Sequence, residues 1–183
     1  MLKIALDIDG VVVDLLYGVA EFLKINGYNM LLENYTRYKA SEVDLGCPKQ
    51  KVIEAFQTPL TFELSKFYPN IQNSIDKLRE FAIVDAYTLV MNQGVFDVRE
   101  KQLKELGFEE KNRKIFLGEK PILINDYDIL IEDNPDAVIE WREKGFCGLI
   151  FLVNQIYNLN YDMDNYCIRV NSLDDIVKFI QLI

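Results

Sequence analysis

The chain has 183 residues, half of them hydrophobic, enough for one domain with a sizeable core. Its formal charge of −9 argues against a long nucleic acid as partner, and the absence of histidine excludes Ser-His-Asp, Cys-His and histidine-phosphatase chemistry. Any catalysis must therefore use carboxylates, lysine and metal.

Along the chain, short and nearly continuous apolar runs at 2–8, 84–91, 114–118, 128–132, 148–153 and 167–170 have the composition of strands buried on both faces, as in a parallel sheet. Helical spacing separates them: Leu15, Leu16, Val19, Phe22 and Leu23; Ile71, Ile75 and Leu78; Val98, Leu103 and Leu106; Ala137, Val138 and Trp141. A last helix opens at Ser172 with Asp175 three residues on, a start resembling a capping box. The alternation predicts an α/β fold, a doubly wound parallel sheet with helices on both faces. About seventy residues without a strand pattern follow the first strand, far more than a βα connection needs. They predict a small helical cap at 15–76, inserted over a core formed by 1–14 and 77–183. Trp141 and Phe146 read as packing residues.

Cys47, Cys147 and Cys167 are odd in number and lack zinc-ligand spacing, so they read as reduced, buried thiols. No signal-peptide pattern and no membrane-length apolar run is visible, so a cytoplasmic protein without membrane contact is expected. Oligomeric state is open, and a homodimer is compatible with the sequence.

The first strand ends in two carboxylates and a glycine, LDIDG, placing Asp7 and Asp9 at the carboxyl edge where ligands bind in open α/β sheets. Gly10 lets the backbone turn there. Carboxylates so close either share a divalent cation or raise one another's pKa. The strand at 128–132 also runs into acids, ILIEDNPD, with Glu132 and Asp133 at its end and Asp136 opening the next helix. Asp133 or Asn134 also suits a helix N-cap. Two parallel strands ending in acids on one edge point to a magnesium site with few protein ligands.

These motifs, DIDGVVVD and LIEDNP, resemble the haloacid dehalogenase (HAD) superfamily of phosphatases. More narrowly, the opening motif, a lysine in GEKPILINDYDILIEDNP and the later IFLVNQIYN are similar to the 5′(3′)-deoxyribonucleotidase group, over residues 1–14 and roughly 84–158. The resemblance implies that Asp7 attacks phosphorus to form an aspartyl-phosphate. Asp9 would protonate the leaving oxygen and then deprotonate the hydrolytic water. Mg2+ would be held by the carboxylates of Asp7 and Asp133 and the backbone carbonyl of Asp9. A lysine should pair with the nucleophile and phosphate. Lys101, in the first turn after the second strand, is chosen over Lys120, with Lys104 one turn further along the same helix.

One departure stands out. Where the family ends its second strand in Thr or Ser, this chain reads LVMNQG, so that Met91 or Asn92 takes the place; Asn92 can still donate to a phosphate oxygen. In the cap, Tyr17, Tyr28, Tyr35, Tyr38, Phe56 and Phe62 either form its core or stack a base, and Arg37 and Lys39 are either phosphate ligands or surface. The expected substrate is a nucleoside monophosphate. The alternatives are a sugar phosphate, a nucleic-acid 3′-phosphate, or a catalytically silent phosphate-binding relative.

Overall fold

The structure is a computed structural model that describes residues 1–182, with Ser41 by its backbone alone. Six strands form one parallel sheet: β1 (Leu2–Leu6), β4 (Ala82–Val90), β5 (Arg113–Leu117), β6 (Ile129–Glu132), β7 (Leu149–Val153) and β8 (Ile168–Val170), in the order β5-β4-β1-β6-β7-β8. The chain winds outward from β1 through β4 to β5 on one side and from β6 through β7 to β8 on the other. The direction of winding therefore reverses beside β1, between β1 and β6, and opens a crevice at their carboxyl ends.

Helices α4 (Ile71–Phe81), α5 (Gln93–Glu105) and α7 (Leu173–Ile180) send Ile75, Leu78, Leu103, Ile176 and Val177 into one core with Ile4, Leu6, Val84 and Ile131. On the other face α6 (Pro135–Glu143) buries Val138 and Trp141 against Tyr87, Leu130 and Phe146. The doubly wound fold and the packing roles of Trp141 and Phe146 are as the apolar pattern requires. Ser172 caps α7, its hydroxyl accepting from the Asp175 amide at 3.4 Å. Ile71 and Ile75 belong to the main core, so the cap ends near Tyr68 rather than at residue 76.

The cap comprises α1 (Leu15–Ile25), α2 (Lys49–Gln57) and α3 (Pro59–Leu64), with its own cluster of Val19, Phe22, Leu23, Leu45, Val52 and Ala55. At its base lies a feature that period-2 patterning cannot show. Strands β2 (Val13–Asp14) and β3 (Lys66–Phe67) are two residues each and pair antiparallel where the chain enters and leaves the cap. The three cysteines are free, but Cys147 is exposed and the other two half-buried, which corrects the expectation of buried thiols. No helix among the described residues is long and apolar enough to cross a membrane.

Candidate active site

Strand β1 stops at Leu6, two residues short of the predicted end, because the chain then curls tightly: the amides of Val12 and Val13 both donate to the Ile8 carbonyl at 2.9 Å. Gly10 makes this turn at φ +75°, and a Cβ there would run into the Asp133 carboxylate and the Tyr157 hydroxyl. The glycine thus serves both the left-handed backbone and the close approach of the two strand ends.

In the crevice the buried acids Asp7, Glu132 and Asp133 come together, each offering an oxygen within 4.8 Å of the others. Lys120 reaches in from the loop after β5, its Nζ 2.6 Å from Asp7 Oδ1 and 3.2 Å from Glu132 Oε2. The backbone amides of Asp133 and Asn134 donate to the other oxygen of Glu132, at 3.0 and 3.2 Å. Asn134 provides the N-cap of α6, accepting from the Asp136 amide at 3.0 Å, which leaves Asp133 free to face the site. Tyr157 donates its hydroxyl to Asp133, and Asn158 donates to the Asp133 carbonyl at 2.7 Å. Gln155 donates to the Gly10 carbonyl at 2.6 Å. The segment after β7 thereby ties the two acidic strand ends together.

Asp9 turns elsewhere. Its carboxylate pairs with Arg99 of α5, a fully buried guanidinium that also donates to Gln102 Oε1 at 2.8 Å and lies over the Phe62 ring. The side chain of Asp9 thus lies outside the cluster of Asp7, Glu132 and Asp133 and is held by Arg99.

Two predicted positions are corrected. Lys101 is exposed on α5 and does not line the cavity that holds Asp7, and Lys104 pairs at the surface with Glu100. The cation at Asp7 is Lys120. The reason is the buried stripe of α5, Val95, Arg99 and Leu103 at intervals of four, which turns position 101 away from the sheet. Arg99 itself was missed, although its place in that stripe was the available signal. Asn92 is also displaced from its expected role. It caps α5, accepting from the Val95 amide at 3.0 Å, and donates to the Gln57 carbonyl of the cap at 2.7 Å. Met91 lines the cavity in its place. The Thr88 hydroxyl of β4 also lines the cavity; it is buried and has no hydrogen-bond partner among the described residues.

No family model matches the chain, and no curated protein matches its sequence. Its likeness is to solved structures. A haloacid dehalogenase-like hydrolase from Streptococcus pneumoniae superposes with a TM-score of 0.57 at 16% identity, over 99% of each chain. The chain has the haloacid dehalogenase fold. CbbY from Rhodobacter sphaeroides, solved with phosphate, shares this fold at a TM-score of 0.54 and 13% identity, over 96% of both chains. A CbbY variant holding xylulose-1,5-bisphosphate gives 0.50 and 12%, over 94% of this chain and 95% of that one. YfnB from Bacillus subtilis, described as a HAD-hydrolase bound to magnesium, gives 0.57 and 10%, over 97% of both.

The donor set in this HAD-like crevice suits a hard divalent cation: three buried carboxylates are faced by a single ammonium, and oxygen is the only ligand type present in the cluster. Burial, and at Asp7 and Asp133 the neighbouring carboxylates as well, raise the acids of the site. Burial first, and then the adjacent Glu132 charge, push Asp7 up to about 7 against the pull of Lys120. Burial, Glu132 and Asp7 likewise raise Asp133. Burial raises Asp9 against the pull of Arg99.

These shifts have a stability consequence in metal-free protein. Between pH 3.8 and about 7 an unfolded Asp7 has ionised while the folded one keeps its proton, so the unfolded state binds fewer protons and stability falls as pH rises. The loss from Asp7 approaches about 4 kcal/mol at the top of this window. Melts in EDTA at about pH 4.5 and about pH 7.5, read as the difference from Asp7→Asn to cancel the other carboxylates, should show wild type losing the more stability. Magnesium should restore it at the higher pH. A pH-independent difference would refute this electrostatic account.

Proposed function

We propose that the protein is a magnesium-dependent phosphomonoesterase working through an aspartyl-phosphate on Asp7. The observation that carries this reading is the buried cluster of Asp7, Glu132 and Asp133 at the point where the winding of the sheet reverses, with Lys120 held against the nucleophile. Asp7 and Asp133, with the backbone carbonyl of Asp9, would hold the cation. Bound there, magnesium supplies positive charge to the phosphoryl oxygens.

Lys120 fixes the Asp7 carboxylate through Oδ1 and adds a second positive charge beside the phosphoryl group. Asp7 attacks phosphorus, the bond from phosphorus to the ester oxygen breaks, and Asp9 delivers its proton to that oxygen. Asp9 then takes a proton from water as the water attacks the phosphoaspartate, returning the Asp7 carboxylate and releasing inorganic phosphate. Arg99 keeps the Asp9 carboxylate in place beside the nucleophile.

The leaving group is a separate matter. No sequence match supports the nucleotidase group, whereas CbbY, which shares the fold, is known with a sugar bisphosphate, so a sugar phosphate is the better supported class. A catalytically silent, phosphate-binding protein is the second reading, motivated by Met91 where the family carries a hydroxyl donor. The buried, unpartnered Thr88 hydroxyl is the donor on that strand that favours activity over silence.

The deciding experiment is phosphate release from phenyl phosphate with magnesium and with EDTA, beside magnesium binding by calorimetry. Release that needs magnesium supports the phosphatase. Magnesium binding without release from any ester supports the silent reading.

A further inference from the structure

Resting on the phosphatase reading, the structure assigns the site a narrower substrate class: a monophosphate whose leaving group is an uncharged ring, with a second anionic group rejected. The cavity above Asp7 has a volume of about 620 Å³, within the span typical of small-molecule sites. That leaves room for a ring system beyond the phosphate.

Its walls differ sharply in character. The cap side is Leu15, Leu16, Tyr35, Tyr38, Phe56 and Phe62, without one charged residue. Tyr157 continues this aromatic surface from the core side, its ring centroid 5.1 Å from that of Tyr35 and 5.7 Å from that of Tyr38. Tyr35, Phe62 and Tyr157 are buried, so the half-buried Tyr38 and Phe56 are the rings whose apolar surface is open to pack on a base, an aryl ring or the C–H face of a sugar.

The opposite rim is acidic. Glu119 precedes Lys120, and Asp136 and Glu140 lie one turn apart on α6; all three line the cavity and are exposed. Among the described residues the one cation lining the cavity is Lys120, already committed to Asp7 and Glu132. Arg99 is buried on Asp9 and does not line it. Lys39 and Lys144 pair with Asp136 and Glu140 at 3.4 and 2.9 Å, are themselves more than half exposed, and are absent from the lining. Such exposed pairs are weak and screened by salt, so neither lysine is held toward the cavity, and Glu119 is the rim acid without a lysine beside it among the ion pairs of the described residues.

A bisphosphate, or a phosphate ester carrying a carboxylate, would therefore bring a second negative charge to a wall of carboxylates and aromatic faces with no cation to receive it. Acidic rim oxygens accept readily from the hydroxyls of a sugar or nucleoside, so an uncharged ring is served by the same wall. The cavity, through its acidic core-side rim and uncharged cap wall, is thus set against the kind of bisphosphate that CbbY holds.

The test is kcat/KM with magnesium for three matched pairs: phenyl phosphate and 4-carboxyphenyl phosphate, a hexose 6-phosphate and its 1,6-bisphosphate, and a nucleoside 5′-monophosphate and its 3′,5′-bisphosphate. The member without the second anion should be favoured at least tenfold in each pair that is turned over, and raised salt should shrink the ratio. The preferred pair identifies the source of the ring. Glu140→Lys should lower the ratio for the aryl pair several-fold, and Glu140→Gln should lower it less. Turnover with equal rates within pairs, or with the anionic member ahead, overturns the inference and leaves the phosphatase standing. Release from none of the six overturns both.

Discussion

Asp7→Asn protein is expected to release phosphate at least about 10⁴-fold more slowly than wild type, and from every ester alike. The carboxamide is nearly isosteric but is no nucleophile, and it removes one of the two carboxylates proposed to hold magnesium. Folding should not suffer. Asp7 is buried beside Glu132, with its pKa pushed up to about 7, so the native state gains nothing from its charge in the absence of metal. The variant should therefore melt at or above the wild-type temperature in EDTA near neutral pH. Wild-type protein quenched in acid during turnover of a radiolabelled ester should carry the label as an acyl phosphate that hydroxylamine releases, and the variant should carry none. Turnover surviving in Asp7→Asn, or label resistant to hydroxylamine, would remove the aspartyl-phosphate from the mechanism.

Lys120→Met should cost both activity and stability, by about 3 kcal/mol or more at neutral pH, because it strands two buried acids. The ammonium is the cation that Asp7 Oδ1 and Glu132 Oε2 share, and burial, which by itself would lower its pKa, is outweighed by those two charges, so it stays protonated. Methionine keeps much of the packing of the lysine stem and removes only the charge. Part of the loss should vanish near pH 5, where Asp7 takes up a proton and no longer needs a counter-charge, and part should be offset by magnesium. Lys101→Ala is the comparison. Lys101 is exposed, and its replacement should leave stability within about 0.5 kcal/mol of wild type and turnover intact. Denaturant titrations of both variants at the two pH values decide the matter; equal losses from the two lysines would sink the assignment of Lys120.

The parallel sheet and the edge that bears the site were legible in the linear chain because both rest on local patterns. Five- to nine-residue apolar runs cannot be solvated and must be buried on both faces, which makes them central strands, and a strand that ends in acids carries those acids to the carboxyl edge. Asp7 and Asp133 could be placed at that edge for that reason, as the Ser172 cap could be placed on α7. What lay beyond local patterning was decided by tertiary contact. Lys120 sits in an irregular loop, where no period dictates direction, and its reach to Asp7 exists only because β5 lies two strands from β1. Lys101 looked closer in sequence terms, but the rotation of α5 is set by which of its residues fit the core, and that fit chose Val95, Arg99 and Leu103. Asn92 met a similar competition, since an N-cap next to a cap-domain carbonyl uses both ends of its amide. The acidic rim set against an aromatic roof was equally out of reach, because its two sides are separated by about a hundred residues in the chain and become one cavity only when the cap closes over β1 and α6. Burial preference acts residue by residue and can be read from a string of letters; the facing of one charge toward another depends on distances that the folded chain alone creates.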